Sequence, residues 1–330
     1  MNGAGVRPAG VAITALPASL LRSGLIAGAV KEQRAALASG PVKRSDRPIA
    51  MTDRLRAITL DVLTITDADG RHRQEVIRQG LPALRPDVIA LQEVTRGGGF
   101  DQAAYLLGPD FTIVDLPGRS PAGTGETLAS RWPLGAVTTL DIPLTASPQD
   151  PMRATAVAAE VLLPAPIGPL LAVHHRGTYH LDREHIREQQ AVATARFIED
   201  LVADRPDLPV ILLGDLNADS AAASIRFLTG RQSLHGISVR YEDAWPAIHP
   251  GETGHTFTPS NPLVRAGQMP LERGRRIDYI MIRSGPLGPP LDVVDCRLIF
   301  TEPVDGRWAS DHYGVAADFR LPHHAPGSWT

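Results

Sequence analysis

The chain is short of cysteine, of lysine and of long apolar runs, and each shortage removes a class of function. Cys296 is the one cysteine among 330 residues, so no intrachain disulfide can form. It sits in Val293-Val294-Asp295-Cys296-Arg297-Leu298-Ile299, where a buried structural thiol is expected and a nucleophile is not. Lysine occurs twice, as Lys31 and Lys43. The chain beyond residue 50 therefore has no Schiff-base or lysine-nucleophile chemistry open to it. No segment approaches the ~18 apolar residues of a membrane-crossing helix. The stretch from Val11 to Val30 is interrupted by Pro17, Ser19, Arg22 and Ser23, so no secretion signal is expected and the chain reads as cytoplasmic.

Charge is unevenly divided. Of 33 basic and 36 acidic residues, the first fifty positions hold seven and two, leaving 26 and 34 in the remainder. A net-acidic body lacks the basic footprint that sequence-independent attraction to a nucleic-acid backbone requires. Arg273, Arg275 and Arg276 form a local exception that could hold a substrate phosphate. Residues 1–50 are rich in Ala and Gly and include one possible helix over 20–38. They read as an N-terminal extension or a misplaced start, and residues 51–330 as one catalytic domain.

From Leu55 onward the patterning is regular. Strands are expected at 55–63, 87–94, 111–116, 127–131, 136–142, 155–163, 170–173, 209–213, 277–282, 292–300 and 312–321. Helices are expected over 73–84, 182–202 and 219–228, and an irregular region over 230–275. Many strands in one continuous set with a few helices indicate two sheets packed face to face under helices.

Several of these strands end in polar groups. Val210-Ile211-Leu212-Leu213 runs into Gly214-Asp215-Leu216-Asn217, and Val88-Ile89-Ala90-Leu91 into Gln92-Glu93. Ser310-Asp311-His312 precedes Val315-Ala316-Ala317. Carboxylates, an amide and an imidazole delivered to strand ends are the ingredients of a metal-assisted hydrolytic site. Each motif alone is commonly a solvated turn; it is their order along the chain that is specific. His174, His175, His180 and His185 offer no clean tetrahedral zinc set.

That ordered set resembles the endonuclease/exonuclease/phosphatase superfamily related to DNase I, over roughly residues 55–319. The matching segments are Arg56–Val62, Arg85–Val94, Gly125–Pro133, Ala172–His175 followed by Arg187 and Gln190, Gly214–Ala218, Arg276–Ile280 and Ser310–His312. One position departs: the family's first strand usually presents asparagine where this chain has Asp61. A carboxylate there would hold a cation more tightly and repel a phosphate oxygen that an amide could bond.

The resemblance implies an α/β fold, a DNase I-like four-layered sandwich of two mixed β-sheets flanked by helices. It also implies a hydrolase of phosphate esters that uses Mg²⁺ (or Mn²⁺), a phosphodiesterase, phosphatase or nuclease. Glu93, Asp61 and Asp311 are the expected metal ligands. Asp215 would orient the attacking water, and Asn217 would bond a phosphate oxygen with a neutral amide. His312, its ring held by Asp278, would act on the proton or on charge in the transition state. His175 is preferred over His174 for the family's histidine, on the opposite side of the phosphate, with Arg276 a further phosphate contact. Which group is formally the base stays open. The substrate, whether small molecule, lipid head group or nucleic acid, is undecided, and no obligate protein partner is evident. A catalytically weak or inactive binding protein on the same fold is the alternative that Asp61 motivates.

Overall fold

The computed structural model describes residues 53–142 and 154–323; the N-terminal extension and the helix expected within it lie outside these. The elements run β1 (Arg54–Asp61), α1 (Gly70–Leu84), β2 (Val88–Gly97), β3 (Phe100–Asp101), α2 (Gln102–Leu107), β4 (Thr112–Asp115) and β5 (Thr124–Ser130). Then come β6 (Leu134–Ile142), β7 (Ala154–Val161), β8 (Leu170–His175), α3 (Glu184–Val202), β9 (Val210–Asp215) and α4 (Ala223–Leu228). β10 (Tyr241–Asp243), α5 (Ala244–Ile248), α6 (Pro262–Ala266), β11 (Asp278–Arg283), β12 (Asp292–Ile299) and β13 (Gly314–Arg320) complete the chain.

Two mixed sheets result. The first has the order β12-β13-β1-β2-β5-β4, with β3 paired to β2, and the second β10-β11-β9-β8-β7-β6. Only β1 with β2 and β8 with β9 run parallel, and α1 and α3 supply those two crossovers. Strand alternation sorts the apolar residues into three layers. Leu55, Ala57, Val88, Ala90, Ala172, Ile211, Leu213, Ile280, Ile282 and Val315 meet between the sheets. Their neighbours Ile58, Leu60, Ile89 and Leu91 face α1 and α2, with Ile77 and Leu81 one helical turn apart on α1. Val173, Leu212, Tyr279 and Met281 face α3, which buries Ala191, Ala195, Ile198 and Val202. Each fully buried Leu, Ile or Val contributes about 1.5–3 kcal/mol to holding these layers together. The layers stack helix, sheet, sheet, helix, the four-layered architecture that the resemblance implies.

Several boundaries differ from the sequence reading. The segment 219–222 is a turn closed by the Asp219 side chain on the amide of Ala221, so α4 starts only at Ala223. The 230–275 region is not irregular throughout: it contains β10, α5 and α6, each too short to impose periodicity on the sequence. Two of these helices are capped by side chains, Asp243 on the amide of Trp245 and Asn261 on that of Leu263. Cys296 is buried between the sheets with its thiol pushed up to about 12, chiefly by burial, and is not a nucleophile. Among the described residues no helix is long and apolar enough to cross a membrane.

Candidate active site

The site is the polar continuation of the layer between the sheets. On β1 the inward positions read Ala57, Thr59, Asp61; on β9 they read Ile211, Leu213, Asp215. On β11, running the other way, they read Ile282, Ile280, Asp278. Period-two alternation therefore carries each carboxylate to the same end of the sandwich as the last apolar side chain of its strand. Asp61, Asp215 and His312 converge there, with one ligating atom of each within 4.8 Å of the others.

Glu93 needs a different device. Leu91 pairs with Thr127 and Val94 with Gly125, so Gln92 and Glu93 together oppose Glu126 across a β-bulge. Glu93 adopts φ 60°, outside the strand region. Gln92 keeps the inward direction, its amide 2.8 Å from His174 Nε2 and 3.1 Å from Thr59 Oγ1. Glu93, the extra residue, reaches the site rim, where Oε2 accepts from the amide of Thr64.

The β8 residue that enters the site is Arg176, one position beyond the strand. His174 lies opposite Leu213 and shares its inward face, so Arg176 follows two residues later. Its Nη2 is 2.7 Å from Glu93 Oε1 and 3.5 Å from Asp61 Oδ2. Nη1 lies 3.1 Å from Glu126 Oε1 and Nε 3.7 Å from Asp215 Oδ2. Two glycines permit this close approach of β8 and β9. A Cβ at Gly177 would come within 2.3 Å of the Leu216 carbonyl, and one at Gly214, where φ is 145°, within 2.1 Å of the His175 carbonyl.

His175 corrects the sequence reading. It points with Leu171 and Val173 to the α3 side, where Nδ1 bonds the Thr155 carbonyl at 3.2 Å, and burial lowers its pKa to about 4. His174 faces inward but serves as a strut between the sheets. Burial first, then the charges of His175 and Arg176, lower it to about 3, so a neutral ring accepts from Gln92. Arg276 is likewise placed elsewhere. It is buried against Asp243, with Nη1 to Oδ2 at 2.7 Å, and its guanidinium sits 4.6 Å from the Tyr279 ring centroid. It is a structural ion pair beneath the β10–β11 edge.

The remaining expected residues lie at the convergence. His312 Nδ1 is 2.9 Å from Asp278 Oδ2. Burial would lower the ring's pKa, but Asp278 above all raises it well above the ordinary value, which favours the protonated ring. Asp215 is raised to about 7, by burial and then by Asp278. Its Oδ2 accepts from Asn217 Nδ2 at 2.7 Å and its Oδ1 from the Asn217 amide at 2.9 Å, with Asn217 in a left-handed turn at φ 52°. Asp61 is raised well above its ordinary value, by burial and then by Glu93. Burial would also raise Glu93, yet Arg176 holds it below the usual carboxylate range. Asp311, partly exposed and bonded by Ser310 Oγ at 3.2 Å, is raised, chiefly by burial.

Buried polar residues brace the loops that carry these groups. The Arg73 guanidinium donates to six backbone carbonyls, from Val62, Leu63, Thr64, Asp67, Ala68 and Ala309, tying the loop after Asp61 to the segment before Asp311. Asn261 Nδ2 bonds the carbonyls of Ser310 and Asp311, and Thr256 Oγ1 receives the amides of Ile277 and Asp278. Arg187 and Gln190 on α3 hold the loop after Arg176 at Thr178 and His180. The sequence reading missed Arg176, Glu126, Arg73 and Gln92 as parts of the site.

The donor set suits a hard divalent cation. Asp61, Glu93, Glu126 and Asp215 offer only oxygen ligands, and when ionised, as a bound cation would make them, they outnumber the charges of Arg176 and His312. Buried oxygens of Glu126 (Oε2) and Asp278 (Oδ1) have no hydrogen-bond partner within the protein, a deficit that a cation or its waters would relieve.

Comparison with known proteins places the fold and the family. The family model described as "Endonuclease/Exonuclease/phosphatase family" matches residues 58–312. TDP2 of D. rerio, solved in complex with a single-strand DNA product, is 21% identical with a TM-score of 0.64, over 82% of this chain and all of that one. A Bacteroides vulgatus endonuclease/exonuclease/phosphatase is 19% identical with a TM-score of 0.62, again over 82% of this chain and all of that one. A third, from Beutenbergia cavernae DSM 12333, is 23% identical with a TM-score of 0.57, over 82% and 72%. No curated protein matches the sequence. With its fold, the order of its motifs and the span of that match in agreement, the chain belongs to the endonuclease/exonuclease/phosphatase family.

Proposed function

We propose that this protein hydrolyses a phosphate ester with a divalent cation, Mg²⁺ or Mn²⁺, held by Glu93 and Asp61 with Asp311 at the rim. The observation that carries the reading is the convergence from both sheets of Asp61, Asp215 and the Asp278-paired His312. Bound there, the cation would neutralise charge on the phosphate and stabilise the leaving oxygen.

The chain's own groups supply the rest. Asp215, at about 7, is poised to take a proton from a water near neutral pH. Its two hydrogen bonds from Asn217 fix the carboxylate in place; the second Nδ2 hydrogen of Asn217 goes to the Gly177 carbonyl at 3.0 Å, so the amide would donate to a phosphate oxygen by exchanging one of these bonds. His312 stays protonated through its contact with Asp278 and presents positive charge, or a proton, to an oxyanion. The acidic body and the absence of lysine beyond residue 43 weigh toward a small or locally recognised phosphoester over a long duplex. The D. rerio neighbour's DNA product keeps single-stranded nucleic acid among the candidates.

The test is an activity panel with metal varied: single- and double-stranded nucleic acid, inositol and choline phosphodiesters, and bis(p-nitrophenyl) phosphate. Turnover that needs Mg²⁺ or Mn²⁺ and is lost in Asp215→Asn is the expected result. A folded, metal-loaded protein that turns over none of these would instead be a binding protein on the same scaffold.

A further inference from the structure

Arg176 reaches carboxylates from four strands of both sheets: Asp61 of β1, Glu93 of β2, Glu126 of β5 and Asp215 of β9. Its side chain is only 10% exposed, so these interactions are little screened by water. Without a cation among them, four acids in so small a volume would repel one another or be forced to take up protons. The guanidinium also stands where a metal would have to go. Its Nη2 contacts Glu93 Oε1 at 2.7 Å and faces Asp61 Oδ2 at 3.5 Å, the two side chains best placed to ligate. A divalent ion bound to either oxygen would lie within a few ångströms of a fixed positive charge, and the two would repel.

We propose that Arg176 is a resident counter-ion that competes with the divalent cation for Glu93 and Asp61 and must withdraw from them for the cation to bind. This rests on the metal-dependent reading above. Glu126 supplies an anchor for the side chain, since it holds Nη1 at 3.1 Å while the other terminal nitrogen, Nη2, is the one that meets Glu93 and Asp61. The extra charge of Asp61, where an amide is usual in the family, has its compensation in the same guanidinium. The arrangement holds the metal-free site together and makes its affinity for metal modest.

The experiment is a calorimetric titration of Mn²⁺ into the metal-free full-length protein and its Arg176→Gln and Arg176→Lys variants. Arg176→Gln is expected to bind Mn²⁺ about tenfold more tightly or better, the change that removing one nearby positive charge would bring. Arg176→Lys, which keeps the charge, is expected to stay close to the wild type. The metal-free Gln variant should also melt lower than the wild type and gain more from Mn²⁺. Unchanged or weaker binding in Arg176→Gln, with the wild type still binding, overturns this inference and leaves the metal reading intact. Binding by neither protein removes both. Should the Gln variant fail to fold, the side-chain Nε–H resonance of Arg176 in the wild type decides: it moves on titration with Mg²⁺, and a resonance that stays put overturns the proposal.

Discussion

Strands β1 and β13 carry buried charge at both ends, and the two ends are built with opposite ratios. At the far end, the one buried carboxylate, Asp318, receives Arg54 and Arg56, with Arg297 at 3.8 Å and the half-exposed Asp295 beside Arg54 and Arg297, three arginines to two acids. Burial would raise Asp318, yet the Arg56 hydrogen bond, followed by the charges of Arg56 and Arg54, holds it below the usual range. At the near end Asp61, Glu93, Glu126 and Asp215 share Arg176, and Asp61 and Asp215 are raised. Cations in excess of a buried acid make a closed structural clasp. Acids in excess of a buried cation make a place that accepts something from outside. The same two strands thus separate stability from chemistry along their length.

The comparison breaks most visibly at His312. His312→Ala should lower kcat by roughly a hundred- to ten-thousandfold, the range for loss of a positioned proton donor or acceptor. The substrate that proves best in the panel is the assay; a loss of only a few-fold would mean that the near end does not work as assigned. At the far end, Asp318→Asn should leave metal binding untouched and destabilise the fold by about 2 kcal/mol. That is below the full cost of breaking a buried pair because Arg54 and Arg56 reach solvent. Denaturant titration in the presence of chelator measures it, and a metal-dependent loss would contradict the separation of the two ends.

The smallest effect is one of pH. Asp215 and His312 both bind protons more tightly when folded than when unfolded. Their stabilisation is complete below about pH 4 for the carboxyl and about 6.5 for the ring, the ordinary values, and is lost as pH rises through the folded ones. Asp318 acts with the opposite sign under acid conditions, as pH falls through its depressed pKa, and the lowered His174 and His175 likewise make stability rise with pH up to about 6.5, the ordinary histidine value. Thermal melting of the chelated protein should therefore show a falling Tm between about pH 6.5 and 8, where the two neutral histidines no longer oppose it. The slope should flatten in Asp215→Asn and with saturating Mg²⁺; a rising Tm over that range would reverse the assignment.

Much of the site was legible because polar residues interrupt apolar runs. Asp61, Asp215 and Asp278 each close or open a strand whose alternation already points them inward, and His312 lies just before another. Arg176 was not legible. β8 is apolar on both faces until His174, so its sequence does not say which parity looks between the sheets; that is settled by Leu213 across the ladder. Two histidines just before it then drew attention to the wrong side chain. Arg276 misled for the converse reason. It stands two residues before Asp278 in a basic cluster, but its partner Asp243 sits in a three-residue strand that no pattern announces. Glu126 lies inside a segment that matched the family, yet only the bulge in β2 shows what it opposes.

That bulge has a consequence for how this strand can change. Deleting Gln92 or Glu93 would restore an unbroken ladder to β5, a gain for the sheet. The retained side chain would then have to serve as inter-sheet strut or as cation ligand, never both. Continuity of the ladder and the placing of two different side chains thus make opposite demands at this spot, and the surplus residue meets the second.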